Sequence, residues 1–282
     1  MQESIRKADV LVEALPYIQA FAGKAIVVKY GGSALENPQV VQGIVQDLVF
    51  LRAVGLRPVL LHGGGLRISQ RIAAAGGSTT FIQGMRVTDR ATIRLVNTAL
   101  EEVNAQLVKQ IRSLGGFAEG LVARHRVIRA QPHPQAKTLG YVGSVQAIQV
   151  AKLRGAFGHQ AIPVLSPVGS DHGQLYNINA DDAASHVASS LHAEKLVLLT
   201  NVRGILRQAG DVSSLIPTLS IKEAKLLMER RVIQEGMIPK VSACIAALRR
   251  GVKKTHIIDA TIPHALLLEI FTKTGIGTEI IR

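Results

Sequence analysis

Cysteine is nearly absent from this sequence. Cys244 is the single one, so neither an intrachain disulfide nor a cysteine-based zinc cluster can form, and a reducing compartment suits the chain. The small secreted disulfide scaffold is thereby excluded. Tryptophan is missing and aromatic residues reach only 4%. Those few aromatics do not interleave with the basic segments, and neither zinc-finger spacing nor an RNA-recognition signature occurs, so no nucleic-acid partner is expected. Long apolar runs are lacking too. The stretch from Val10 to Pro16 is broken by Glu13 and Pro16, and no segment reaches the roughly 18 uncharged apolar residues of a membrane span. The expectation is a soluble, cytoplasmic protein with no membrane partner. Acidic residues are outnumbered: 20 Asp+Glu against 33 Lys+Arg leave a formal charge of +13.

What is present is a chain of 282 residues, 47% of them hydrophobic, long enough for a full core and near the size at which one α/β domain divides into two lobes. The basic excess falls in two stretches. Val103 to Gln160 carries eight Lys/Arg and one acid, and Ile221 to Lys254 carries nine and three. Such a surface suits a solvated face together with a site for anionic substrates. Apolar, β-branched runs recur at Ala25–Val28, Pro58–Leu61, Ala161–Leu165, Lys195–Leu199 and His256–Ile258, and they read as strands buried on both faces of a parallel sheet. Helical patterns lie between them at Val40–Val54, Asp89–Leu114, Ala180–Leu191 and Ile221–Met228. This alternation predicts an α/β fold, a three-layer α/β/α sandwich around an open, mainly parallel central sheet. Gln131-Pro132-His133-Pro134 reads as a loop or hairpin tip. The N-terminal segment reads as a helix from Gln2 to Leu15, bent or stopped at Pro16 and resumed from Tyr17 to Ala22. Its apolar face packs either on its own domain or on another subunit.

Two of the strands run straight into glycine turns: Lys29-Tyr30-Gly31-Gly32-Ser33 after the first, and His62-Gly63-Gly64-Gly65 after the second. Glycine at a strand end lets backbone N–H groups approach a phosphate, and a following helix N-terminus adds partial positive charge. Familiar phosphate and acyl-transfer motifs are nevertheless missing. The chain contains no Gly-x-x-x-x-Gly-Lys-Ser/Thr loop, no Gly-x-Ser-x-Gly elbow after the His-Gly-Gly-Gly run, and no Gly-x-Gly-x-x-Gly after its first strand.

Together with Gly84-Met85-Arg86-Val87-Thr88, Asn177-Ile178-Asn179-Ala180-Asp181 and Gly236-Met237-Ile238-Pro239-Lys240, these turns resemble the acetylglutamate branch of the amino acid kinase family. The likeness is collinear from about Ile26 to Thr278. It implies the amino acid kinase fold and ATP-dependent phosphorylation of the γ-carboxylate of N-acetyl-L-glutamate, in arginine synthesis through acetylated intermediates. It also implies a kinked N-terminal oligomerisation helix (1–24), an acetylglutamate-binding and dimerising lobe (25–175) and an ATP-binding lobe (176–282). Lys29 and Lys240 match the two lysines flanking the transferring phosphoryl group, and Asp181 matches the aspartate that orients them. Gly31 and Gly32 match phosphate-binding positions. Gly64, Gly65, Arg86, Asn177 and Asn179 match the acetylglutamate site, with Arg86 suited to the α-carboxylate. Asn201, Gly204 and Met237 fall on the nucleotide side. Asp181 has a plainer alternative as a helix cap, and Asn177 and Asn179 as turn residues. No protein metal site is expected, since Mg²⁺ is expected to arrive with ATP.

The N-terminal helix and the segment from His264 to Thr278 further resemble arginine-inhibited members, in which the helix interlaces dimers into hexamers. There Glu269 and Gly275 would belong to an effector site for L-arginine. Whether the nitrogen-signalling PII protein is a partner stays open. The sequence departs from the family pattern at several points. Thr200-Asn201-Val202 stands for Thr-Asp-Val, Glu235 for a glycine, Leu66 for a proline, and Asp259-Ala260-Thr261 for Asp-Gly-Arg. Two other functions remain in play: a kinase for an aminoadipate group on an acidic carrier protein, which the basic charge suits, and a degenerate, non-catalytic arginine-responsive subunit.

Overall fold

The computed structural model describes the chain from Met1 to Arg282 apart from Gln83, Glu235 and Lys273 and the side chains of Ser4 and Lys7. Helix α1 (Gln2–Phe21) precedes β1 (Ala25–Tyr30), α2 (Pro38–Ala53), β2 (Arg57–His62) and α3 (Gly65–Ala74). A short hairpin of β3 (Phe81–Ile82) and β4 (Met85–Arg86) leads into the long α4 (Arg90–Ser113) and then β5 (Ala118–Leu121). Strands β6 (Ile128–Pro132) and β7 (Gly143–Ile148) enclose the one-turn α5 (Ala136–Leu139), and α6 (Val150–Gly158) returns the chain to β8 (Ile162–Leu165). The hairpin of β9 (Val168–Asp171) and β10 (Gln174–Asn177) delivers α7 (Ala180–Ser190). The remainder comprises β11 (Lys195–Thr200), β12 (Thr218–Ser220), α8 (Ile221–Glu229), α9 (Met237–Arg249), β13 (Lys254–Asp259), α10 (Ala265–Phe271) and β14 (Thr278–Ile281).

Eight strands form the central sheet in the order β12-β14-β13-β11-β1-β2-β8-β5. All neighbours are parallel except β13 and β14. Alternation along β1 divides the core. Ile26, Val28 and Tyr30 face the layer holding α2, whereas Val27 faces the layer holding α7 and α9. The three-layer α/β/α architecture expected from the strand–helix alternation is therefore present. Register places Lys29 of β1 between Leu61 of β2 and Leu198 of β11, at the carboxyl end of the sheet, where open α/β sheets bind ligands.

Helix boundaries follow their caps. Asn37 accepts from the amides of Gln39 and Val40, with Pro38 supplying a preset φ at the first helical position of α2. Asp89 accepts from Thr92 N at α4, and Ser220 with Glu223 forms a reciprocal capping box at α8.

Three regions differ in detail from the sequence reading. Helix α1 is not stopped at Pro16 but is one helix from Gln2 to Phe21. The proline leaves only the Val12 carbonyl without its helical donor, and Val12 is exposed, so water satisfies it. The stretch Gln131–Pro134 does lie at a hairpin tip, with Gln131 and Pro132 closing β6 and α5 placed within the connection to its antiparallel partner β7. That unit belongs to a second sheet, ordered β10-β9-β6-β7, which no long apolar run announced.

Candidate active site

The positively charged centre is assembled from three elements. Lys29 projects from β1, Asp181 from the first turn of α7 and Lys240 from the first turn of α9. Lys29 Nζ lies 2.9 Å from Asp181 Oδ1, and Lys240 Nζ lies 3.2 Å from Asp181 Oδ2. One carboxylate thus spaces two ammonium groups and leaves the trio with a net charge of +1. Asp181 is buried, which alone pushes its carboxyl up, but Lys29 and then Lys240 outweigh burial and hold it below the ordinary carboxylate range. The helix cap proposed as the plainer role of Asp181 belongs instead to Asn179, whose Oδ1 accepts from the amides of Asp181 and Asp182 at 2.9 and 3.1 Å. Asp182 pairs with His186 one turn along, 3.6 Å away, outside the lysine pair.

The two glycine turns interlock beside this trio. Gly63 N donates to Tyr30 O at 2.7 Å. A Cβ on Gly31 would stand 3.2 Å from Lys29 Nζ and 3.3 Å from Gly63 Cα, so glycine keeps both the ammonium and the second turn close. Gly32 has φ +78°, a left-handed conformation that favours glycine. Gly64 and Gly65 open α3 with no side-chain cap, leaving amides directed outward. Helix α9 likewise begins at Gly236 and Met237 with no side-chain cap, and Lys240 stands in its first turn.

Next to Gly65 lies a cavity of about 170 Å³ whose lining includes Arg86, Asn177, Asn179 and Ala180. The Arg86 guanidinium is buried and stacked over Phe81 at 4.7 Å, and burial lowers its pKa. It donates to Thr79 Oγ1, Gly65 O and Ser69 Oγ at 2.8, 2.8 and 3.0 Å, which leaves two of its five N–H groups. Thr88 is buried and donates to Arg86 O at 2.8 Å, while Asn177 Nδ2 donates to Thr88 Oγ1 at 3.2 Å. The Arg86-Val87-Thr88 motif therefore ties the cavity wall to the end of β10.

The nucleotide-side residues are placed less uniformly. Asn201 is exposed in the loop after β11. Gly204, at φ +147°, is buried where any Cβ would meet Thr278 Oγ1 at 2.6 Å, so its absence of side chain closes that loop onto β14. Met237 is half-buried at the start of α9. Glu235 lies outside the described residues. Among the described residues no group of three His, Cys, Asp or Glu side chains converges as a metal site.

A second, larger cavity of about 700 Å³ sits at the other side of the C-terminal segment, where Tyr17 and Phe21 of α1 meet Lys195, His256, Glu269 and Gly275. Glu269 is buried. Its Oε1 lies 2.6 Å from His256 Nδ1, its Oε2 accepts from Ile276 N at 2.7 Å, and a Cβ on Gly275 would come 2.7 Å from Oε2. Lys195 Nζ is 3.1 Å from His256 Nε2. Sequence reasoning passed over Lys195 and His256, although a charged or titratable residue opening a buried strand run is the signal that marks them.

Comparison with known proteins decides the family. The model of the amino acid kinase family matches residues 24–259. The chain belongs to the amino acid kinase family. Over 295 residues it is 43% identical to the acetylglutamate kinase of Heliobacterium modesticaldum, covering all of both chains. It is 46% identical over 283 residues to that of Nostoc sp., covering 99% of this chain and 95% of the relative. Among solved structures, N-acetylglutamate synthase from Neisseria gonorrhoeae complexed with coenzyme A and N-acetyl-glutamate superposes with a TM-score of 0.87 at 29% identity over 98% of this chain. This chain spans 63% of that synthase's length. The same synthase complexed with coenzyme A and L-arginine superposes with a TM-score of 0.82 over 97% of this chain and 65% of its own.

Proposed function

We propose that the chain catalyses transfer of the γ-phosphoryl group of ATP to the γ-carboxylate of N-acetyl-L-glutamate, yielding N-acetyl-L-glutamyl 5-phosphate and ADP in arginine biosynthesis. The observation that carries this reading is the Lys29–Asp181–Lys240 trio beside two glycine turns, in a chain alike end to end to acetylglutamate kinases. A carboxylate oxygen attacks the γ-phosphorus as the bond to the β-phosphate oxygen breaks, and no proton need move. Both reactants are anions, so the reaction needs fixed positive charge along the line of transfer. Lys29 and Lys240 supply it at positions held by Asp181. The amides of Gly31, Gly32, Gly64 and Gly65 add uncharged donors that need no reorganisation. Arg86 and the asparagines Asn177 and Asn179 orient the acetylated amino acid in the adjoining cavity. Asn201, Gly204 and Met237 border the nucleotide.

Mg²⁺ is proposed to travel on the ATP phosphates, as this ion commonly does, and it neutralises charge on the phosphoryl oxygens. Asp181, the one carboxylate at the trio, has both oxygens engaged by lysines, which accords with an ion held mainly by the nucleotide. L-Arginine is proposed as a feedback inhibitor at the cavity of Glu269 and Gly275, a reading favoured by likeness to a synthase solved with L-arginine. A homo-oligomer, dimer or hexamer, in the cytoplasm is proposed; the exposed Val10, Leu11 and Leu15 of α1 favour burial against another copy of the chain. Among the described residues no helix is long and apolar enough to cross a membrane. The intact trio weighs against a degenerate, non-catalytic subunit, and end-to-end similarity to acetylglutamate kinases weighs against a carrier-protein substrate.

The test is acyl-phosphate formation, trapped as hydroxamate, with MgATP and N-acetyl-L-glutamate. Native protein should turn over and Lys240→Ala should lose about 10²–10³ in kcat. Absence of turnover in the native protein would overturn the reading.

A further inference from the structure

The glycine turn after β2 is held from behind by a side chain outside the proposed substrate contacts. His62, the last residue of β2, is fully buried, with Nδ1 2.9 Å from Gly63 O and Nε2 3.1 Å from Asn104 Nδ2. Asn104, buried on α4, brings the same Nδ2 to 2.8 Å from Val164 O on β8. The two ends of this chain determine its protons. Val164 O only accepts, so Asn104 presents its NH₂ group there, and the second hydrogen of that group meets His62 Nε2. Gly63 O also only accepts, so the imidazole proton sits on Nδ1. Burial pushes the imidazole down to about 4, which leaves it neutral at physiological pH with a single proton to place. Gly120 on β5 makes room for the arrangement, because a Cβ there would collide with Asn104 Oδ1.

The consequence reaches the site through one peptide plane. Across a trans peptide, C=O and N–H point in opposite directions. Holding the Gly63 carbonyl toward His62 therefore turns the Gly64 N–H away from it. Gly64 N finds no protein acceptor among the described residues, and Gly64 stands as the N-cap of α3 without a side-chain cap. We propose that His62 is a positioning residue whose Nδ1–H clamps the Gly63 carbonyl and so aims the Gly64 amide at an oxygen of the reacting group, with Asn104 selecting the tautomer that makes the clamp. The clamp rests on geometry alone, and what the amide meets rests on the phosphoryl-transfer reading above.

Two amide substitutions separate the ring nitrogens. His62→Asn places an NH₂ near the position of Nδ1 and keeps a donor for Gly63 O, whereas His62→Gln places its amide near Nε2 and leaves that carbonyl without one. The expectation is a kcat loss of no more than about threefold for H62N and about 10–100-fold for H62Q, with KM for ATP within about threefold of native in both. Equal losses, or losses that follow the thermal midpoints of the two variants, would overturn the clamp. The ¹⁵N spectrum of the imidazole should show the Nδ1–H tautomer unchanged from pH 5.5 to 8. An Nε2–H tautomer, or titration in that range, overturns it as well. The Gly64 amide resonance should stay in place in H62N and move in H62Q, and the reverse counts against the clamp. These spectra read the clamp even if native protein fails to phosphorylate acetylglutamate, a failure that would strike the proposed reaction instead.

Discussion

Asp181→Asn is the sharpest perturbation of the lysine pair because it changes charge and geometry in opposite senses. The native carboxylate pairs with Lys29 at 2.9 Å through one oxygen and accepts from Lys240 at 3.2 Å on the other. An asparagine retains one acceptor and turns an NH₂ toward the second ammonium. One lysine keeps a neutral hydrogen bond, and the other faces a donor. A hydrogen bond to a charged group is worth about 1.5–3 kcal/mol, and losing one such tether while weakening the other frees a lysine from the line of transfer. At 1.36 kcal/mol per tenfold, the lost tether alone lowers kcat by about 10–10²-fold, and the weakened one adds to that. The trio's net charge meanwhile rises from +1 to +2, so ATP should bind as well as before or better. The assay is hydroxamate trapping at saturating substrates, with KM for each substrate and a thermal melt on the same preparation. A kcat within fivefold of native in a folded D181N variant would refute the orienting role. So would a tenfold rise in KM for ATP with kcat intact.

Four further outcomes follow from the same structure. Gly31→Ala should lower kcat by at least about tenfold in the hydroxamate assay, since its Cβ meets Lys29 Nζ at 3.2 Å and Gly63 Cα at 3.3 Å in a site that depends on placement. Gly275→Ala, at φ +64° and with its Cβ 2.7 Å from Glu269 Oε2, should cost about 1–3 kcal/mol by denaturant titration. Asp47 is buried on α2 and accepts from Leu266 N at 3.1 Å. Replacement by Ala should cost about 1–3 kcal/mol and by Asn appreciably less, because Asn keeps the acceptor. Because Asp181 is held below its unfolded value, it contributes stability above about pH 3.8 that is lost as pH falls through the depressed value. D181N should therefore flatten the acid limb of a pH–stability curve relative to native protein.

Much of the frame was legible because parallel strands buried on both faces leave continuous apolar runs. The five runs that mark β1, β2, β8, β11 and β13 sit side by side, in the order β13-β11-β1-β2-β8, and two of them, β1 and β2, carry the glycine turns at their carboxyl ends. The missed strands lack that signature. Strand β5 reads Ala-Glu-Gly-Leu at the sheet edge, and β9 and β10 mix Gly, Ser, Asp and Gln, so side-chain pattern says little and the pairing of β5 with β8, β9 with β6 and β10 with β9 decides. The trio was legible from motif, since Lys29, Asp181 and Lys240 are far apart in the chain and only the fold brings them together. Asn179 as the α7 cap was not assigned, because Asn and Asp both suit that position and the sequence placed several together. His62 appeared as the first letter of a glycine motif, and Asn104 was not singled out within the helical stretch Asp89–Leu114. Their connection exists only once α4 packs over the ends of β2 and β8.

The central claim is that this chain moves a phosphoryl group from ATP to the side-chain carboxylate of an acetylated glutamate. Phosphorus NMR of native protein mixed with MgATP and N-acetyl-L-glutamate tests it most directly, with unacetylated L-glutamate as the parallel sample. The account predicts loss of the ATP γ-resonance and growth of an acyl-phosphate resonance with the acetylated substrate and not with the free amino acid. A spectrum in which ATP and N-acetyl-L-glutamate persist unchanged beside folded protein would contradict it.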